Sequence, residues 1–511
     1  MPSILATPKF CPSHNDTAAS AKPEGLPHAP RERTGMGRRR LVKIALGAIA
    51  LTSPTVACAQ AAASATNDQA ADASSGNGQS AAAAVLQTAQ SPAAGTVPSS
   101  PRQGRDPAEF RRFDALGELG ATTNWPGSID TIVGDAGGIR SWLADHDIGI
   151  QSRIGTVGVY NPLDTGQPRD PQRYNGQRPT IQTHTFNLIA TFGLQSIGLP
   201  NSRITVGGNY LITTFRPNGP STVTFRNLSY YQSFDNKRFE IKLGLIPNYY
   251  EFVGLFPGGS PVLSAGVSGL IPIQAGLSAD PSSTPAANFT FNMKHGAYVK
   301  VGVQRSMSPF GQPYEVTHNG IGLDLTMKGA GPLTIAEFGI RRAATATSRQ
   351  IWLRAGGIYN DSDYVRFDGR GTKSVQSAYV AGDVQIEQKD RSKPSHGLYV
   401  GASAFWGSKE VLSYTQSYEL RAYEIGLLRS RPDDTVTVRV GYIKFSPDAR
   451  QANLARGFVA NGSQASGTVS YATHLAPGVI LTPAVSYIHN PSLIGDYNDA
   501  LNLSATVYLL L

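Results

Sequence analysis

The sequence predicts an all-β fold: a transmembrane antiparallel β-barrel of about sixteen strands, with a short N-terminal helical segment before it. Three observations lead there. Apolar and polar residues alternate with period two in segments of about ten residues, the length of a tilted membrane-spanning strand. Mean hydropathy is −0.20, too polar for a bundle of membrane helices but suited to a barrel, where only every second strand residue meets lipid. Turn residues separate the segments, as Arg429-Ser430-Arg431-Pro432-Asp433-Asp434 does between two alternating runs.

The 511 residues carry 45 Lys and Arg against 36 Asp and Glu, a net charge of +9. The basic residues are spread along the alternating segments rather than gathered in a patch, so no nucleic-acid partner is expected. The two cysteines, Cys11 and Cys58, precede the region expected to fold. No disulfide, thiol-based metal site or cofactor is expected there.

Residues 1–35 are polar and read as an extension or a misassigned start. Residues 36–61 read as a signal peptide: Arg38, Arg39, Arg40 and Lys43 are its basic region, Leu41 to Thr52 its apolar region, and Ala57-Cys58-Ala59 or Ala59-Gln60-Ala61 its cleavage site. Residues 62–105 are Ala, Ser, Gln, Gly and Pro, a linker with too little apolar surface to order. Residues 106–147 form an entrance segment, partly helical, with Ile139, Trp142 and Leu143 on one side.

The barrel domain spans 148–511. Its alternating segments are 148–160, 180–193, 202–215, 221–233, 238–246, 286–293, 297–306, 320–327, 332–341, 349–359, 376–388, 395–406, 415–428, 435–445, 464–474, 479–488 and 500–510. In 238–246, Phe239, Ile241, Leu243 and Leu245 oppose Arg238, Glu240, Lys242 and Gly244. In 435–445, Val436, Val438 and Val440 oppose Thr437, Arg439 and Gly441. Connections should alternate short and long, with long ones at 161–179, 247–285, 360–375 and 446–463. Segment 320–327 breaks that alternation and is assigned to a loop, which leaves sixteen strands.

Loop 247–285 is the longest and is rich in apolar residues, among them Phe252, Leu263, Ile271 and Ile273. Folded into the lumen it would bury that surface and narrow the pore; the alternative is an extracellular cap. Arg153, Glu240, Lys242, Glu337, Arg354, Asp383, Glu387 and Arg439 fall on the polar phase of their strands, where the bland reading is that they pair with neighbouring strands and fill the wall. Among them Arg153, Glu240, Lys242, Arg354, Asp383 and Arg439 are candidates to line a solute pathway, since opposite charges across a lumen supply donors and acceptors for sugar hydroxyls. Tyr249, Tyr250, Trp352 and Tyr379 are candidates to stack on sugar rings. The histidines show no metal-ligand spacing, and no hydrolase or phosphate-loop motif is present.

Four stretches, in order, resemble the carbohydrate-selective porins of the OprB family. They are Gly137 to Leu143 with the following strand; Arg238 to Phe252, RFEIKLGLIPNYYEF; Gly426 to Asp434; and Leu475 to Pro491, with Tyr487-Ile488-His489-Asn490-Pro491 at its end. The resemblance implies a non-enzymatic, sixteen-stranded outer membrane porin of a Gram-negative bacterium, passing glucose and related sugars. It adds Glu251, near the start of loop 247–285, to the pathway. It implies as partners sugars and other small solutes, outer membrane lipid and the barrel assembly machinery, in a monomer or a trimer. Other readings are a porin for general or anionic solutes and, further off, a barrel enzyme or adhesin. The chain departs from the pattern at Leu511, where barrels usually end in an aromatic, and at Ser486, where a longer amide is expected.

Overall fold

The computed structural model describes residues 105–163, 180–213, 222–254, 257–265, 269–495 and 497–511, with backbone only at 180–186 and 213. The expected signal peptide and linker therefore lie outside the described residues, as does most of loop 161–179. The first described element is helix α1 (Pro107–Ala115). Asp106 caps it, accepting from the Ala108 N–H at 2.8 Å, and Pro107 takes the first helical position. Phe110 and Phe113 form its buried face. Helix α2 (Ile139–Asp145) follows. It does not bury the apolar side expected of it. Ile139 and Trp142 are each 59% exposed, and Arg140 is the buried residue. Arg140 donates to the Leu511 carbonyl at 2.6 Å and to the Gly134 carbonyl at 2.8 Å. That contact ties the C-terminal end of the barrel to the entrance segment.

Sixteen strands then close on themselves. They are β1 (Ile148–Tyr160), β2 (Thr180–Gly193), β3 (Ser202–Thr213), β4 (Thr222–Phe234), β5 (Phe239–Ile246), β6 (Thr284–Asn292), β7 (Ala297–Arg305) and β8 (Pro332–Arg342), then β9 (Ile351–Val365), β10 (Thr372–Gln385), β11 (Gly397–Gly407), β12 (Tyr414–Ile425), β13 (Thr435–Phe445), β14 (Ser463–Ala476), β15 (Val479–His489) and β16 (Ala500–Leu510). Each pairs antiparallel with its chain neighbours, and β1 closes on β16 from Arg153↔Leu510 to Tyr160↔Leu503. Closure leaves no free sheet edge, which the membrane requires.

The alternation of residue types becomes an alternation of faces. On β5, Phe239 and Leu243 are exposed and Lys242 is buried. On β7, Val299, Val301 and Val303 face out while Lys300 and Gln304 face in. A one-residue slip of β7 would put Lys300 in lipid, at a cost of about 2–4 kcal/mol near the midplane, so the register is well specified. Residues 320–327 form no strand.

Two expectations about connections need correction. Strands β9 and β10 run on to Val365 and from Thr372, so the expected long loop 360–375 shrinks to 366–371. Its sequence, DSDYVRF, is too polar to read as strand, yet Tyr364 points inward and is buried. The alternation of short and long also fails locally, because connection 386–396 is longer than 366–371 and 408–413.

Candidate functional site

Loop 247–283 lies inside the barrel. Its described residues include a short helix, α3 (Leu270–Gln274), and are almost all buried. Tyr249, Phe252, Val253, Ile271 and Leu277 are at 0% exposure, which is where the apolar content of this loop goes. The loop touches walls far apart on the ring. Val253 O accepts from Arg354 on β9 at 3.0 Å, Leu263 O from Thr437 on β13 at 2.7 Å, and Val262 O from Thr482 on β15 at 3.4 Å.

The entrance segment meets the loop from the other side. Residues beyond α1 turn into the barrel instead of stopping at its mouth. The Thr122 N–H donates to Tyr250 O at 2.7 Å, and Asn124 N–H to Gly259 O at 2.8 Å. Loop and segment share one buried charge network. Lys242 on β5 donates to Glu118 (3.0 Å), Glu251 (2.7 Å) and the Leu119 carbonyl (2.9 Å). Arg226 on β4 pairs with Glu118 and Asp280, each at 3.1 Å. Lys300 on β7 lies 3.5 Å from Glu251 and donates to the carbonyls of Gly120 and Glu251. Three cations thus balance three carboxylates. Burial pushes the Glu118 carboxyl up, but Lys242 and Arg226 outweigh it and hold the pKa at about 2.

A second network sits across the ring. Asp383 on β10 takes both arms of the Arg421 fork at 2.8 and 2.7 Å. Glu419 bridges Arg421 (3.0 Å) and Arg439 (2.6 Å), and Arg439 also donates to the loop carbonyl of Ala265 at 2.7 Å. Between the two networks Glu337 on β8 accepts from Tyr298 at 2.8 Å and Tyr379 at 2.6 Å. Both tyrosines lie flat over glycines. A Cβ on Gly339 or Gly356 would come within 2.5 or 2.4 Å of the rings.

Two arginines stand apart. Arg153 on β1 lies over the Trp125 ring at 4.2 Å, and its Nε and Nη2 have no hydrogen-bond partner. Arg354 lies over Trp352 at 3.6 Å, and its Nε and Nη1 have none either. Among the described residues neither arginine is ion-paired. Both point to the lumen side of strands on opposite walls.

Of the seven pathway residues expected, six therefore lie in these arrangements and one does not. Glu240 sits next to the β4–β5 turn, where it accepts from Tyr231 (2.8 Å) and Asn292 (2.6 Å), away from the loop. Trp352 is also unsuited to stacking on a sugar. Arg354 covers it at 3.6 Å and Arg341 lies over it at 4.7 Å, so guanidinium groups take up the ring. Tyr379 is held by Glu337. Sequence reasoning missed Glu118, Arg226, Asp280, Lys300, Glu419 and Arg421. Lys300, Glu419 and Arg421 were on the polar phase of their strands and were within reach. Arg226 was not, because a bulge against Gly207 and Gly208 turns both Arg226 and Asn227 inward.

A closed sixteen-stranded barrel with lipid-facing apolar residues, a charged lumen and a long loop folded inside defines the class: an outer membrane porin. The model of the carbohydrate-selective porin family, OprB, matches residues 180–507, and the chain belongs to that family. Among solved structures, the high-pH form of Pseudomonas putida OprB is similar to 76% of this chain and 99% of its own, with 16% identity and a TM-score of 0.64. The low-pH form is similar over 75% and 98%, at 14% identity and TM-score 0.49. The outer membrane channel DcaP of Acinetobacter baumannii is similar over 71% and 97%, at 10% identity and TM-score 0.44. No curated protein matches the chain. The protein is thus a carbohydrate-selective porin at family level, a channel located in the Gram-negative outer membrane.

Proposed function

We propose that the chain passes glucose and related sugars by passive diffusion through a lumen narrowed by loop 247–285, and that Arg153 and Arg354 are the groups that touch the solute. The observation that carries this is their unpaired N–H groups. Every other strong cation of the two networks is matched by a carboxylate, while these two are held by tryptophans and carry buried N–H groups that no protein acceptor satisfies. A planar guanidinium fork fits paired hydroxyls, and hydrogen bonds strengthen where little water competes. Lys242, Glu251, Asp383 and Arg439 position the loop on the wall, and Glu240 braces the β4–β5 turn.

The test is planar-bilayer conductance of the purified protein with sugar titration. Glucose should block the current in a saturable way. No channel current would overturn the porin reading, and current without saturable block would overturn the sugar reading alone. Liposome swelling with glucose and with a carboxylate of similar size separates sugar from anion selectivity.

A further inference from the structure

We propose that the outer wall of β8–β13 carries a binding site for an anionic phospholipid of the periplasmic leaflet. The wall is not uniform there. It holds a hollow of about 800 Å³, on the scale of a pocket that takes a drug-sized molecule. Its floor is made by small outward residues, Ala355 on β9 and Ala402 and Ala404 on β11, with Ile340 on β8 at one end and Leu420 and Tyr442 at the other. The register explains it. Two adjacent outward rows run across the strands, through Ala355↔Phe338 and Ala404↔Tyr418 in one, and Ile340↔Leu353 and Ala402↔Leu420 in the other. Large side chains stand at the flanks and alanines in between. Lipid tails fill such a hollow, since an empty one forfeits dispersion contacts.

Charge selects which lipid. Arg342 follows Ile340 on the outward phase of β8 and is exposed where the strand ends. The turn after it, 343–350, carries exposed Arg349 and no carboxylate. The neighbouring β6–β7 turn carries exposed Lys294 and no carboxylate, and the Arg342 side chain packs beside Gly296 in that turn. Among the described residues none of these three cations forms an ion pair. By contrast, the 386–396 connection mixes Lys389, Arg391 and Lys393 with Glu387 and Asp390. The uncompensated positive charge therefore sits below the β8–β9 end of the hollow. That end of the barrel holds the entrance segment and the tight turns, which is the periplasmic side. A phosphate headgroup with net negative charge fits there with a tail in the hollow; a zwitterionic headgroup gains less.

The full-length protein, reconstituted in phosphatidylethanolamine with phosphatidylglycerol, tests this by native mass spectrometry of the lipids it retains. Phosphatidylglycerol should be retained about tenfold over its share in the bilayer. Two variants should each abolish that preference: Ala402→Phe with Ala404→Phe, which fills the hollow, and Lys294→Gln with Arg342→Gln and Arg349→Gln, which removes the charge. Heat-modifiable gel mobility confirms that each barrel is folded, and sugar block should be unchanged in both. Retention of the two lipids in proportion to their shares of the bilayer by the unaltered protein overturns the proposal, as does a preference that survives either variant. So does a second copy of the chain found in the hollow, seen as a dimer that the two phenylalanines dissociate.

Discussion

Lys242→Met isolates what the charge network does. The substitution keeps most of the stem volume and removes the ammonium. Three bonds go: to Glu118 at 3.0 Å, to Glu251 at 2.7 Å and to the Leu119 carbonyl at 2.9 Å. Orphaning a buried charge costs about 3–5 kcal/mol. Here neither carboxylate is fully orphaned, because Glu118 keeps Arg226 at 3.1 Å and Glu251 keeps Lys300 at 3.5 Å. The expected cost is therefore lower, roughly 2–3 kcal/mol, made up mostly of the weakened Glu251 and the unpaired carbonyl. It should fall on the attachment of segment and loop, not on the strand ladder. The Thr122 N–H, which donates to Tyr250 O at 2.7 Å, reports that attachment. Its hydrogen exchange should quicken by about 30- to 150-fold, since 1.4 kcal/mol is tenfold. Amides in the centres of β12 and β13 should hardly change. The reasoning fails if Thr122 exchange stays the same while heat resistance of the whole barrel drops, for then Lys242 only stiffens the wall.

Arg354→Ala should weaken glucose block of the current about five- to tenfold, the loss of one charge-assisted contact near 1–1.5 kcal/mol, with heat resistance nearly unchanged; titration in a planar bilayer reads it. The Glu118 carboxyl, held at about 2 from an ordinary value of 4.5, sets a pH dependence. A lowered carboxylate stabilises fully above its unfolded value and loses that contribution as pH falls through its folded one. Thr122 protection should thus be the same at pH 7 and pH 5 and decline between about pH 4 and pH 2, and a decline starting at pH 6 would refute it. Asp434→Ala removes the acceptor for Thr473 (2.8 Å), the His474 N–H (3.0 Å) and Arg431 (2.8 Å). It should lower the temperature of the gel-mobility transition, by about 1–3 kcal/mol in stability terms, without altering sugar block.

The strands were legible because lipid imposes a local rule. Each outward residue must be apolar whatever lies across the ring, so period two survives in the sequence and gives β1, β2, β13 and β16 their bounds. The rule weakens at strand ends beyond the bilayer, where the polar run around 360–365 hid the extension of β9. It also breaks at the β4 bulge, where Arg226 and Asn227 turn inward together. The apolar loop 247–285 announced that it needed cover, and the phase of β5 and β9 announced that Lys242 and Arg354 face inward. Which of them is free was decided only by the tertiary structure. Ion pairs form between residues that only the folded chain brings together: Glu118 of the entrance segment with Arg226 of β4, and Asp383 with Arg421 two strands along the wall, on either side of Gly401. Glu118 lies in a segment with no period to read, and α2 meets the barrel with Arg140 while Ile139 faces solvent. Alternation, a property of neighbours in sequence, sets the two faces of the wall; ion-pair partners are distant in sequence and are chosen by how strands, loop and entrance segment come together in the fold.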